Sequence, residues 1–171
     1  LSPCDKFPIA PYTIPAGKYG LLEPWTPEND NGEYAGELTL KESLAKSVNT
    51  TSARLIDMVK PENVIRLAKE AGIENDIPTG PAIALGAVEL SLMEMTSAYA
   101  TFANKGLRVE PIMITRIEDK NGTVLAEFTP KTKEVMSPES AYVVLDLLKG
   151  VVQFGSGARL RSSYERAGYI T

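Results

Sequence analysis

The stretch Gly36-Glu37-Leu38-Thr39-Leu40-Lys41-Glu42-Ser43-Leu44-Ala45-Lys46-Ser47-Val48-Asn49-Thr50-Thr51 packs the end of a loop, a whole short helix and a helix junction into adjacent positions. Thr39 followed by Glu42 spells a capping box. The threonine hydroxyl can accept from the third helical N–H while the glutamate reaches back to the cap. The helix so started is expected to run to about Lys46 and to meet Ser47-Val48-Asn49. A second helix is expected over about 51–59, with Leu55, Ile56 and Val59 on one face. Ser47 and Asn49 are therefore candidate site residues held at a break between two rigid supports. They also have an ordinary explanation, because Ser and Asn are favoured at helix ends and Asn49 could simply cap the helix that follows.

Upstream, residues 1–38 read as an irregular approach loop. Pro3, Pro8, Pro11, Pro15, Pro24 and Pro27 alternate with Gly17, Gly20, Gly32 and Gly36 and interrupt any helical period. Tyr12, Tyr19, Trp25 and Tyr34 are spread along it, either packing the loop onto a helical body or offering faces to a ligand. Downstream, Lys60 precedes Pro61, which disfavours helical geometry at Lys60 and suits the first position of a third helix. That helix carries Val64, Leu67, Ala68 and Ala71 as its apolar stripe and stops at Gly72. Ser91 and Glu94 form a second capping box, opening a helix to about Asn104 that Gly106 ends.

The helical part thus spans 39–108. Residues 109–130 read as a β-hairpin: two β-rich runs flank Asp119-Lys120-Asn121-Gly122, where Gly122 can take the positive φ such a turn needs. Residues 131–171 hold a last helix from Ser137-Pro138, with Val143, Leu147, Leu148 and Val151 facing a core. Gly155 and Gly157 close it, and a tail contains Gly168. The predicted fold is α+β and mostly helical, with one hairpin that must pack on something else, since an isolated hairpin is marginal in water.

Composition removes several classes of chemistry. The 171 residues include no histidine and one cysteine, Cys4. A Ser-His-Asp triad, a Cys-His pair and an internal disulfide therefore cannot be built. A zinc site of the usual His/Cys kind is equally out of reach. A net charge of −4 gives no reason to expect nucleic acid as a partner. No run of roughly 18 apolar residues is present that could span a membrane. Acyl-transfer or hydrolytic chemistry here would need Lys, Tyr or a carboxylate as its base.

Several segments in order are similar to one family. The run from Gly36 to Thr51 resembles the segment around the second active-site motif of penicillin-binding transpeptidases, and Trp25-Thr26-Pro27-Glu28-Asn29 resembles the approach to it. The stretch from Ala84 to Gly106 is similar to the family's next helix, and Pro111 to Gly122 to the hairpin of the bifunctional, high-molecular-weight class. The family's motif set is Ser-x-x-Lys, Ser-x-Asn and Lys-Thr-Gly. The resemblance implies a partial transpeptidase domain of the serine β-lactamase-like fold with its central sheet largely missing.

It further implies that Ser47 relays a proton between the motif lysine and the leaving amine, and that Asn49 hydrogen-bonds the donor peptide's carbonyl. The parent protein would be a D,D-transpeptidase that cross-links peptidoglycan stem peptides through an acyl-serine and is acylated by β-lactams. It would use no cofactor and no metal, and would work outside the bacterial cytoplasmic membrane, anchored by a segment that this chain lacks.

Two literal matches are rejected as decoys. Ser43-Leu44-Ala45-Lys46 has the Ser-x-x-Lys spacing but lies on the capped helix itself, with Lys46 beside Ser47 rather than across a cleft. Lys131-Thr132-Lys133 lacks the glycine and precedes the last helix, so Lys131 and Lys133 read as solvated surface charges. By family order the nucleophile would lie before Leu1 and Lys-Thr-Gly beyond Thr171. The chain then reads as a piece of a longer protein, inert by itself, because losing a serine nucleophile lowers turnover by about 10⁶ in a serine protease. A β-lactam sensor or β-lactamase, a catalytically dead scaffold domain of the same fold and an unrelated helical interaction module are the competing readings.

Overall fold

A computed structural model describes residues 1–164. The chain opens with a short strand β1 (Lys6–Pro8) that pairs antiparallel with β2 (Glu37–Thr39), Phe7 lying opposite Leu38. Between them runs the approach loop, held by a bridge between Ile14 and Trp25 and by a 3-10 turn at Lys18–Gly20. The helical body follows as α1 (Leu40–Ala45), α2 (Asn49–Val59), α3 (Pro61–Glu70) and α4 (Leu92–Ala103). Strands β3 (Leu107–Val109) and β6 (Thr132–Glu134) pair with each other, and β4 (Arg116–Glu118) with β5 (Val124–Glu127). Helix α5 (Pro138–Gln153) packs against both α1 and α4 and leads to α6 (Ala158–Tyr164).

The local punctuation acts as its chemistry requires. Thr39 Oγ1 accepts from the Glu42 N–H while Glu42 returns to Thr39, and Ser91 and Glu94 do the same at α4. Ser137 caps α5 by accepting from Ser140. Lys60 leaves helical space at φ 70° before Pro61 starts α3. The hairpin loop is organised by Asp119, whose carboxylate accepts from the N–H groups of Asn121 and Thr123, with Gly122 at φ 84°.

The structure corrects the sequence reading in five places, two of them through non-local strand pairing. The approach segment contains β1 and β2, joined across a long loop that no local signal marks. The hairpin is narrower than 109–130, because residues 107–109 turn away to pair with β6. Helix α2 begins at Asn49 rather than Thr51. Val64 and Leu67 on α3 are exposed, and Val143, Leu147, Leu148 and Val151 on α5 are only partly covered; Ala141 and Gly150 are the buried positions of α5. A further helix, α6, follows where a tail was expected, and Gly168 lies outside the described residues. Lys131 and Lys133 are exposed, as expected, although Lys133 belongs to β6.

The core is correspondingly thin. Ile14 is fully buried beside the helical body, Ala71, Ile73 and Ala98 form a small cluster between α3 and α4, and several large apolar side chains stay in solvent. The chain exposes 11445 Å², against about 8,200 Å² for a compact monomer of this size.

Glu94 ties α4 to the preceding turn. Its carboxylate accepts from the N–H groups of Asn75, Glu74 and Ser91 and from the Ser91 hydroxyl. The Asn75 amide leads the causes that lower it to about 2. A carboxyl depressed in the folded state stabilises fully above its unfolded pKa of about 4.3, and that stability is lost as pH falls towards the folded value. Thermal unfolding at pH 5 and pH 2.5 is therefore expected to show a larger drop in the wild type than in Glu94→Gln, which lacks this contribution and keeps those of the other depressed carboxyls, Asp57, Glu42 and Asp119.

Candidate functional site

The break between α1 and α2 is built by a specific helix stop. The Ser47 N–H donates to the Leu44 carbonyl (3.1 Å) and the Val48 N–H to the Ser43 carbonyl (2.9 Å). These are the two bonds of a Schellman motif, in which the residue just past the helix turns left-handed. That residue is Ser47, at φ 58°. Glycine is the usual occupant because a Cβ is strained there. Here the position instead carries a hydroxyl, turned to solvent. Two residues on, Asn49 occupies the first turn of α2 at intermediate exposure.

Asn49 does not cap α2. The N-cap position is Val48, which has no side chain able to do so, and the Asn49 amide donates outward to the Glu28 carbonyl at 2.7 Å. The missing cap comes from the approach loop. Asn29, 7% exposed, accepts from the Thr50 N–H (3.1 Å) through its side-chain oxygen and donates to the Glu33 carbonyl (2.8 Å). Thr50, fully buried, adds a hydroxyl bond to the Ile9 carbonyl. Glu28 and Asn29 together grip the start of α2, so the loop sets where Asn49 stands. In the sequence Asn29 was visible only as the last letter of the Trp25–Asn29 resemblance; nothing local said that it caps a helix 20 positions away.

The loop is fastened lower down by Asp57 of α2. Its carboxylate accepts from the hydroxyls of Tyr12 (2.7 Å) and Tyr19 (2.9 Å) and pairs with Lys18 (2.5 Å). Burial alone would raise this carboxyl, but the hydrogen bonds from Lys18, Tyr12 and Tyr19 outweigh it and hold it below the usual range. Arg54 lies over the Tyr12 ring at 4.5 Å and donates to the Ala10 carbonyl. Tyr12 and Tyr19 therefore pack the loop onto the helix, the simpler of the two roles open to them in the sequence.

Ser43 is 3% exposed and accepts from the Thr51 hydroxyl, wedged between α1 and α2. Its hydroxyl packs α1 against α2. Beside the junction, Leu40, Leu44, Val48, Thr51, Leu55 and Leu147 line an apolar groove of about 290 Å³. Val48, the residue between Ser47 and Asn49, lines this groove.

The family described as "Penicillin binding protein transpeptidase domain" matches residues 1–170. Penicillin-binding protein 1A of Aquifex aeolicus is 38% identical over 137 residues, covering 80% of this chain and 19% of that protein. The chain thus spans about a fifth of that relative's length. Among solved structures, Penicillin-Binding Protein 1A from Haemophilus influenzae superposes with a TM-score of 0.85 at 22% identity, over 95% of this chain and 30% of that one. Penicillin-binding protein A from M. tuberculosis, solved as an imipenem acyl-enzyme complex, superposes with a TM-score of 0.72 at 18% identity, over 90% of this chain and 40% of that one.

Proposed function

Because the chain belongs to the penicillin-binding protein transpeptidase family, we propose that it supplies the Ser-x-Asn wall of a peptidoglycan D,D-transpeptidase cleft. The observation that carries this reading is the helix stop itself. A solvent-facing hydroxyl is held on a left-handed backbone where glycine would be less strained, two residues from a carboxamide whose own position is set by an external loop. Strain of this kind persists where surrounding structure over-determines it, and active sites are where it clusters.

In the proposed mechanism a serine on another segment attacks the penultimate D-Ala carbonyl of a stem peptide, and the terminal D-Ala leaves as the amine. The acyl group then passes to the amine of a neighbouring stem peptide. Ser47 suits the proton relay in both steps, because a hydroxyl can accept and donate at once. Asn49 has two N–H donors, of which Glu28 takes one; the other can grip the carbonyl of the donor peptide. The same grip would orient the side-chain amide of a β-lactam.

The nucleophile and Lys-Thr-Gly are assigned to sequence outside this segment. The excess surface, the apolar groove beside Val48 and the exposed Leu92 and Met113 fit a piece that packs against more of its own domain. The parent is placed on the outer face of the bacterial cytoplasmic membrane, where stem peptides are.

Fluorescent penicillin provides the test. The full-length protein is expected to take a lasting label, Asn49→Ala to label much more slowly with only a small fall in melting temperature from the lost bond to the exposed Glu28 carbonyl, and the isolated 171-residue chain to take none. Label on the isolated chain would place the nucleophile here after all. Rapid turnover of the label would indicate a β-lactamase, and no label on the full-length protein a dead domain.

A further inference from the structure

The C-terminal end of α1 leaves one buried carbonyl that the Schellman bonds do not reach. Ala45 is fully buried, and its carbonyl oxygen accepts from the backbone N–H of Ser156 at 2.9 Å, a partner 111 positions away. The donor sits on the turn between α5 and α6. Gly155, beside it, touches the same backbone: a Cβ there would lie 2.2 Å from the Ala45 oxygen and 2.7 Å from its carbonyl carbon. The φ of Gly155 is one that any residue can adopt, so space rather than conformation requires glycine here.

The turn is itself fixed. The N–H groups of Phe154 and Gly155 return to the Gly150 carbonyl and that of Gly157 to Val151. Farther back along α5, Gly150 brings it close to Lys41 of α1, and Lys41 pairs with Asp146 at 2.8 Å. Helix α5 therefore holds α1 along one seam, and the last contact of that seam falls on the residue two before Ser47.

We propose that Gly155, together with the Ser156 amide, is a positioning residue for the transpeptidation site. It permits the close approach that satisfies the Ala45 carbonyl and so fixes the turn from which Ser47 projects. The inference rests on the reading that Ser47 serves acyl transfer. Adding one methyl group at 155 forces the α5–α6 turn and the α1 terminus apart. The hydroxyl then moves, although no atom of the added group reaches the cleft. Misplacement of a catalytic group by about 1 Å can slow a reaction by roughly 10²-fold.

The test compares two alanine variants of one turn in the full-length protein, with a fluorescent penicillin as probe. Gly155→Ala points its methyl at α1. Gly157→Ala points its methyl at Val151 of α5 itself, 3.2 Å from the carbonyl oxygen. Gly155→Ala is expected to lower the saturating acylation rate about tenfold or more while the half-saturating concentration stays within about twofold. Gly157→Ala is expected to keep the rate within about twofold. An unimpaired Gly155→Ala, or equal slowing by both variants, overturns the positioning role. If Gly155→Ala does not fold, Ser156→Pro carries the same expectation and the same refutation, because it removes the N–H donor to Ala45 and puts a ring carbon in its place against the same carbonyl. A wild type that takes no label overturns the functional reading instead, and this inference with it.

Discussion

Exchanging Ser47 for glycine in the full-length protein is expected to slow acylation by penicillin by about 10²-fold or more while making the fold more stable by about 1 kcal/mol. The two effects have separate causes. Acylation falls because the hydroxyl that accepts and returns a proton is gone, and a positioned acid–base group is typically worth 10²- to 10⁴-fold. Stability rises because the position is left-handed, at φ 58°, where a Cβ crowds the following carbonyl and glycine does not.

Ser47→Ala is the partner experiment. It removes the hydroxyl and keeps the Cβ, so acylation should fall equally with no gain in melting temperature. Labelling kinetics and thermal unfolding of the three proteins separate the contributions. Equal melting temperatures for Gly and Ala would show that the left-handed turn is not maintained in the intact domain. A Gly variant that is acylated at the wild-type rate would remove Ser47 from the mechanism.

Asp57→Ala is expected to have the largest effect on stability, a loss of roughly 2–4 kcal/mol. The side chain is 14% exposed and is the common acceptor for Tyr12, Tyr19 and Lys18. Removing it strands two half-buried phenol hydroxyls at once and releases the exposed Lys18 to solvent, which costs more than any one of the bonds contributes. The approach loop should then become accessible to proteases near Lys18, a change that simple loss of a core contact elsewhere would not produce.

Acid should mimic the substitution. The folded carboxyl is held below its ordinary range, so the tie is complete above about pH 4 and fails as pH falls through the lowered value. An Asp57→Ala protein that melts within a degree of the wild type, with no new cleavage site, would show that the loop is held by other means.

The elements that were legible in advance are those whose signals lie within one turn of the chain. Thr39 with Glu42, Ser91 with Glu94, Ser137 ahead of Pro138, and the Asp119–Gly122 turn each satisfy backbone groups three or four positions away. Such a signal is complete in a short window. The pairing of β1 with β2 and of β3 with β6 has no such window, since each strand is three residues long and its partner lies more than twenty positions off. The apolar rows on α3 and α5 were legible as rows, but their burial was not. How much of a row is covered depends on what else packs there, and here much of it meets solvent.

By itself, then, the order of residues determined where the capped helices α1, α4 and α5 start, that Ser47 and Asn49 share a helix junction, and which chemistries a chain without histidine cannot perform. Those outcomes depend on hydrogen bonds that close locally and on which side chains exist at all. Only the tertiary structure decided that Ser47 sits left-handed in a Schellman turn and that Asn29 rather than Asn49 caps α2. It also decided that Gly155 must be small because the Ala45 carbonyl lies against it. The last two are contacts between segments far apart in the chain, and which distant groups meet is set by how the helices pack; the Schellman turn closes locally, but a serine in place of the usual glycine gives no sign of it.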